Sequence, residues 1–236
     1  MSMTSTGSLS AVTPQSERPE FAWLETGRDD LLQRRWPVLC KCIFDRALAL
    51  VALVLLLPLL CLIAGAVRAG STGPALFCQQ RDGYLGEPFV IVKFRTMLWS
   101  GGGQDGCDQA CRGDCRLTAI GAFLRRTSLD ELPQLWNVLT GTMSFVGPRP
   151  HPCAMLTEGK LGHEIAADYS ARLRVKPGMT GLAQINGHRG ATATAAALQA
   201  RLADDLAYIE GWSLLLDLQI LALTPVRLIT RRENAF

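Results

Sequence analysis

Residues 47–67 read ALALVALVLLLPLLCLIAGAV. The run carries no charge, and its length of about twenty residues is enough to cross the hydrocarbon core of a bilayer as a helix. Pro58 lies at its middle, where the missing N–H removes one helix hydrogen bond and the ring kinks the axis. Basic residues flank both ends, with Arg34, Arg35, Lys41 and Arg46 before the run and Arg68 and Arg81 after it. Positive flanks favour the cytoplasmic side of a membrane. Here both ends ask for the same side, which a straight span does not allow. A helix broken at Pro58, entering and leaving one leaflet, satisfies charge and length together. The backbone groups freed at the break then need packed or capped partners. A kinked spanning helix is the alternative, and a buried soluble-core helix is disfavoured by the length of the run.

Outward from this run the character changes. Residues 1–20 are rich in Ser, Thr, Pro and Glu and read as a disordered tail, and residues 21–36 mix aromatic and charged side chains as an interfacial segment does. The expected organisation is a disordered or interfacial tail over 1–36, a re-entrant membrane hairpin over 37–70 and a cytosolic domain over 71–236. The fold class expected is α+β, mainly helical. A small β-hairpin is read from the Arg81-Asp82-Gly83 turn and the alternating EPFVIVKFRTM that follows. Lys176-Pro177-Gly178 reads as a type II turn. Residues 212–232 are apolar on one side and end in arginines, the pattern of an in-plane interfacial helix interrupted near Pro225.

Composition excludes several classes. The chain has 236 residues, a formal net charge of +3 and eight cysteines. That charge carries no nucleic-acid signal. With no early apolar run to act as a cleavable leader, the cysteines read as reduced thiols rather than as a secreted disulfide framework. Cys107, Cys111 and Cys115 recur every four residues, but their Gly- and Asp-rich surroundings suit a loop better than a metal site, which wants a fourth ligand.

The chemistry concentrates in a few segments. RRTSLDELPQ, residues 125–134, puts two adjacent carboxylates, Asp130 and Glu131, just ahead of Pro133. Proline favours the first turn of a helix, so the pair lies at or just before a helix start, where free N–H groups seat anions. A purely structural role competes, since Ser128 and Glu131 fit a capping box. Gly147-Pro148-Arg149-Pro150 pins one arginine between two prolines of fixed φ, a rigid mount for bidentate phosphate binding. Strand alternation points Lys93 and Arg95 to one face, where they would meet a diphosphate; a solvated strand edge is the plain alternative. A Mg²⁺ ion suits carboxylates plus substrate phosphate oxygens.

These segments together resemble one family. KCIFDRALAL, GPALFCQQRDG, VKFRTM, RLTAIGAFLRRTSLDELPQLWNVLTGTMSFVGPRPHP, VKPGMTGLAQINGHRG and YIEGWSLLLDLQIL are similar to the bacterial sugar transferases, the monotopic polyprenyl-phosphate phosphoglycosyl transferases. The resemblance implies an Asp–Glu dyad at Asp130 and Glu131, with Mg²⁺ held there. It implies that Asp130 attacks the β-phosphorus of a UDP-sugar and releases UMP. Undecaprenyl phosphate then takes the sugar phosphate from the covalent intermediate. It assigns Lys93, Arg95, Arg125 and Arg149 to the phosphates and places Gln184 and Asn186 beside the active site. The closest-looking branch starts exopolysaccharides with a hexose-1-phosphate, glucose by preference. The implied location is the bacterial inner membrane with the catalytic part on the cytoplasmic face; the partners are the two substrates and the bilayer, no nucleic acid, with a homo-oligomer left open. The chain departs from the family's pattern at Leu57, where serine is frequent before the proline, and at Cys78, Cys115 and Thr142. Two other readings compete: a membrane glycosyltransferase that releases UDP, and a non-enzymatic scaffold for polysaccharide assembly.

Overall fold

The structure, a computed structural model, describes residues 35–99, 114–153, 155–190 and 192–230. The expectations for the tail before residue 35 and for the loop with Cys107 and Cys111 fall outside the described residues.

Helix α1, Arg35–Gly70, contains the whole apolar run, and among the described residues it is the one helix long and apolar enough to cross a membrane. It is a single helical element through Pro58, where a break was expected. Loss of one N–H costs a hydrogen bond but does not by itself end a helix whose other turns are made of leucine and alanine. One stripe of α1 packs on the rest of the protein. Ala49 is buried with Phe89, Ile91, Val138 and Met143, and Ile63 and Val67 with Phe94 and Leu124. The other face carries Leu50, Val51, Val54, Leu55 and Leu62 exposed; Leu55 and Leu62 show more than 70 % of their surface, at 73 % and 71 %. A soluble protein rarely leaves so continuous an apolar face uncovered.

The expected hairpin is present. Strands β1, Leu76–Asp82, and β2, Pro88–Phe94, pair antiparallel, with Phe77 opposite Lys93 and Asp82 opposite Pro88. Helix α2, Ala119–Thr127, is capped by Thr118, whose hydroxyl accepts from the Gly121 N–H at 2.9 Å. Helix α3, Gln134–Thr140, is stitched to β2 by the buried Asn137, which accepts from the Val92 N–H at 3.0 Å and donates to the Val90 carbonyl at 2.7 Å.

Strand β3, Ser144–Val146, pairs in parallel with β4, Gly178–Thr180. The type II turn expected at Lys176-Pro177-Gly178 does not form: Gly178 lacks a positive φ and instead opens β4. Glycine is needed for close approach, because a Cβ at Gly178 would lie 2.2 Å from the Gly147 nitrogen. Three helices complete the body: α4, Leu182–Asn186; α5, Ala195–Glu210; and α6, Leu214–Thr230. Helix α6 runs through Pro225 without interruption. Its Asp217 is buried and accepts from Lys41 of α1 at 2.6 Å, from the Tyr208 hydroxyl at 2.7 Å and from Trp212 at 3.2 Å. Its opposite side exposes Leu215, Leu218, Leu223 and Val226. The architecture is mostly helical, with small two-stranded sheets and one long apolar helix suited to monotopic membrane association.

Candidate active site

Helix α2 ends at Ser128, which adopts the left-handed conformation and closes the helix with its N–H on the Leu124 and Arg125 carbonyls. A short 3₁₀ turn, Leu129–Glu131, follows, and α3 starts after Pro133. The carboxylates therefore sit in the joint between two helices. No capping box forms: Ser128 makes no side-chain cap, and its hydroxyl instead accepts a hydrogen bond from Arg189. Glu131 turns inward to cations.

The Glu131 carboxylate accepts from both arms of Arg149, with Nη1 3.2 Å from Oε2 and Nη2 on Oε1, and from Lys93 Nζ at 3.1 Å. Burial alone would raise this carboxyl; the charges of Arg149 and Lys93 overcome it and hold Glu131 well below the usual carboxylate range. Asp130 is equally enclosed, at 8 % exposed. Its carboxyl is pushed up to about 6 by burial and by the Glu131 charge, against the pull of Lys93, Arg149 and Arg125. Among the described residues no hydrogen bond is made to the Asp130 carboxylate, whereas Glu131 has both oxygens engaged. The adjacent acids thus play different parts: one anchors cations and the other keeps its oxygens open.

Arg149 is held from behind. The Gly147 N–H donates to Thr180 O at 2.9 Å and the Gly178 N–H to Pro148 O at 2.9 Å. Arg172 donates to the Arg149 carbonyl and pairs with Asp205 at 2.9 Å, both side chains almost wholly buried. Arg81 donates to Pro150 O at 3.1 Å. Its guanidinium is pushed down to about 10 by burial and by the Arg149 charge, and it stays protonated at neutral pH. His151 is buried, its Nδ1 2.7 Å from the Tyr169 hydroxyl, and burial with the nearby arginines keeps it neutral by lowering its pKa well under 6.5.

The expected residues do not all converge. Lys93 and Arg149 meet at Glu131. Arg125, on α2, donates to Thr96 Oγ1 at 2.9 Å and acts on Asp130 through its charge. Arg95 does not share the face of Lys93 in practice: β2 ends at Phe94, alternation ends with it, and the Arg95 guanidinium is buried on the carbonyls of Ser71 and Thr72. Gln184 lines a cavity of about 270 Å³ that Glu131 also borders. Asn186 is exposed and donates to Asp204 at 2.9 Å. Arg189 was not among the expected residues, yet it borders the cavity, reaches Ser128 and feels the charges of both carboxylates. The available signal was its position at the end of VKPGMTGLAQINGHRG, the segment already singled out for Gln184 and Asn186.

Among the described residues no group of three or more His, Cys, Asp or Glu side chains is placed to hold a metal ion. A divalent cation with a mainly substrate-borne coordination shell fits better, because Asp130 has open oxygens and Mg²⁺ keeps few protein ligands.

Known proteins resemble this chain over most of its length. Residues 36–231 match the family model described as bacterial sugar transferase. The chain is 48 % identical over 210 residues to the undecaprenyl-phosphate glucose phosphotransferase of Komagataeibacter xylinus, covering 87 % of this chain and 39 % of that protein. It is 44 % identical over 195 residues to the UDP-glucose:undecaprenyl-phosphate glucose-1-phosphate transferase of Xanthomonas campestris pv. campestris, covering 83 % of this chain and 40 % of that one. The exopolysaccharide production protein PSS of Rhizobium leguminosarum bv. phaseoli is 43 % identical over 191 residues, covering 81 % of this chain and 96 % of its own length. The chain thus spans well under half the length of the first two relatives. A family match over residues 36–231, most of the chain, makes this protein a member of the bacterial sugar transferase family.

Proposed function

We propose that this protein transfers glucose-1-phosphate from UDP-glucose to undecaprenyl phosphate, releasing UMP, as the first step of exopolysaccharide assembly. The observation that carries the reading is the asymmetry of the dyad: Glu131 is saturated by Arg149 and Lys93, while Asp130 beside it is enclosed and open. The relatives' names supply the substrates.

In the first displacement an Asp130 carboxylate oxygen bonds to the β-phosphorus. The bond from that phosphorus to the bridging oxygen breaks, and UMP leaves with the electron pair. In the second, an oxygen of undecaprenyl phosphate bonds to the same phosphorus and the aspartyl oxygen departs as carboxylate, so no proton or electron is left over. Two displacements on one carrier predict ping-pong kinetics. Lys93 and Arg149 hold phosphate oxygens in place, Arg149 through its rigid fork. Arg125 offsets charge at Asp130. Arg95 supports the loop that carries Ser71 and Thr72 beneath the site, and Gln184 with Asn186 shapes the neighbouring segment. Of the dyad, Asp130 would offer a free oxygen to Mg²⁺, and Glu131 would join it only by giving up a hydrogen bond to Arg149 or Lys93; the ion would supply neutralisation of the diphosphate charge.

The same reading extends to the membrane. Lys41 and Asp45, ahead of the apolar run, bond to Asp217 and Ser144 at 2.6 Å each, and Val67, at its end, packs on Phe94 and Leu124. Both ends of α1 are thus tied to one body, which supports a monotopic, re-entrant seating, with α1 bent at Pro58 without losing its helical structure, over a straight span. Residues 37–70 then form the membrane element and residues 71–236 the catalytic part on the cytoplasmic face of the inner membrane.

The test is the identity of the released nucleotide. Membranes given labelled UDP-glucose and undecaprenyl phosphate should yield UMP; release of UDP alone would return the protein to the glycosyltransferase reading. Chelation of divalent ions should stop UMP release.

A further inference from the structure

The cavity beside Glu131 is walled chiefly by apolar side chains: Leu132, Phe145, Met179, Ile185, Leu221 and Leu228. Its polar lining comprises Ser128, Thr180, Gln184 and Thr224 with the charged Glu131, Arg189 and Arg227. Helix α6 forms one side through Leu221, Thr224, Pro225 and Leu228, and the same helix exposes Leu215, Leu218, Leu223 and Val226. One helix therefore separates an apolar chamber beside the dyad from an apolar outer surface.

We propose that this chamber receives the phosphate-proximal end of the acceptor, a linear isoprenoid phosphate. The inference rests on the proposed transfer to undecaprenyl phosphate and assigns the acceptor a place that the catalytic reading leaves open. Its charge pattern fits an anion joined to a hydrocarbon: Arg189 lies within the field of both carboxylates and can face a phosphate, while leucine, isoleucine and methionine face the first isoprene units. A nucleotide fits this lining less well, because among the described residues Phe145 is its one aromatic side chain and the surface the chamber presents is mostly apolar. At about 270 Å³ the chamber is far smaller than the whole acceptor, so the rest of the chain lies along the exposed face of α6 and the membrane.

The experiment uses the full-length protein in vesicles and a geranylgeranyl phosphate carrying a photoreactive group on its first isoprene unit. Labelling should fall on peptides containing residues 179–185 and 221–228, and undecaprenyl phosphate should suppress it. Labelling elsewhere, or equal suppression by a diacyl phosphatidic acid, would overturn the proposal. Kinetics give a second arm. Leu228→Trp narrows the chamber and should raise the acceptor KM about tenfold, while single-turnover UMP release without acceptor stays at wild-type yield. An unchanged acceptor KM, or equal loss of UMP release and acceptor use in a folded variant, would also overturn it. Failure of the transfer reading is separable: wild-type release of UDP rejects the chemistry whatever the labelling pattern shows.

Discussion

Two buried charge clusters stand side by side in this protein, and they are balanced differently. Around Asp205 the accounts are closed. Arg172 pairs with the carboxylate and donates to the Arg149 carbonyl, and Arg201 spends its guanidinium on the carbonyls of His188 and Gly190. Around the dyad they are open: the charges of Lys93, Arg125, Arg149 and Arg189 all bear on two carboxylates, Asp130 and Glu131. The closed cluster is matched within the protein, and the open one carries an excess of cations over carboxylates, as the proposed binding of phosphates requires. Their neighbourhood on either side of Pro148-Arg149-Pro150 leaves one arginine stiffened from behind and paired with Glu131 in front.

The contrast can be broken at its ends. Asp130→Asn removes the open carboxylate without disturbing the ion pairs of Glu131. Transfer should fall by about 10⁴-fold or more, roughly 5.5 kcal/mol of barrier, with the thermal transition kept; retained turnover in a glucose-transfer assay would dismiss Asp130 as nucleophile. Arg172→Met attacks the closed cluster and leaves Asp205 buried and unpaired. It should cost about 3–5 kcal/mol of stability, read by denaturant unfolding, and a variant of unchanged midpoint would show that the cluster does not hold shape. Arg149→Lys keeps the charge of the open cluster and loses the fork. A drop of about a hundredfold in kcat/KM is expected, with little change in melting; equal kinetics would reduce Arg149 to a structural strut.

The smallest effect is acid sensitivity. The folded chain keeps His151 neutral, with a pKa well under 6.5, whereas the unfolded chain protonates it near that value. The unfolded state then binds more protons at low pH, so stability falls as pH drops through about 6.5. The contribution is up to about 1.4 kcal/mol per further pH unit until the folded pKa is reached. His151→Gln should flatten that part of the stability curve between pH 6.5 and 5.5, and an unchanged slope would show that another group carries it.

Much of this site was legible because it is local in sequence. SLDELPQ and GPRP each specify a turn whose backbone limits are written in neighbouring prolines, and the charged side chains follow. What stayed hidden depends on distant partners. Ser128 fits a capping box by spacing, but Arg189, far along the chain, takes its hydroxyl. Arg95 continues a strand pattern on paper, yet the ladder stops one residue earlier and two carbonyls after α1 claim it. Gly178 looks like turn chemistry because the backbone of Gly147, its true reason, is invisible in a local window. The mostly helical character, the small sheets and the long apolar helix were read correctly, while helical structure continues through Pro58 and Pro225.

The bond between Lys41 and Asp217 has a consequence for biogenesis. A ribosome delivers Lys41 long before Asp217, so a nascent α1 has only Asp45, 3.7 Å away on its own helix, beside that cation. The closer partner, Asp217 at 2.6 Å, arrives with α6. The seating of α1 is therefore completed only when α6 is made, and a chain cut short before α6 lacks the clasp on Lys41.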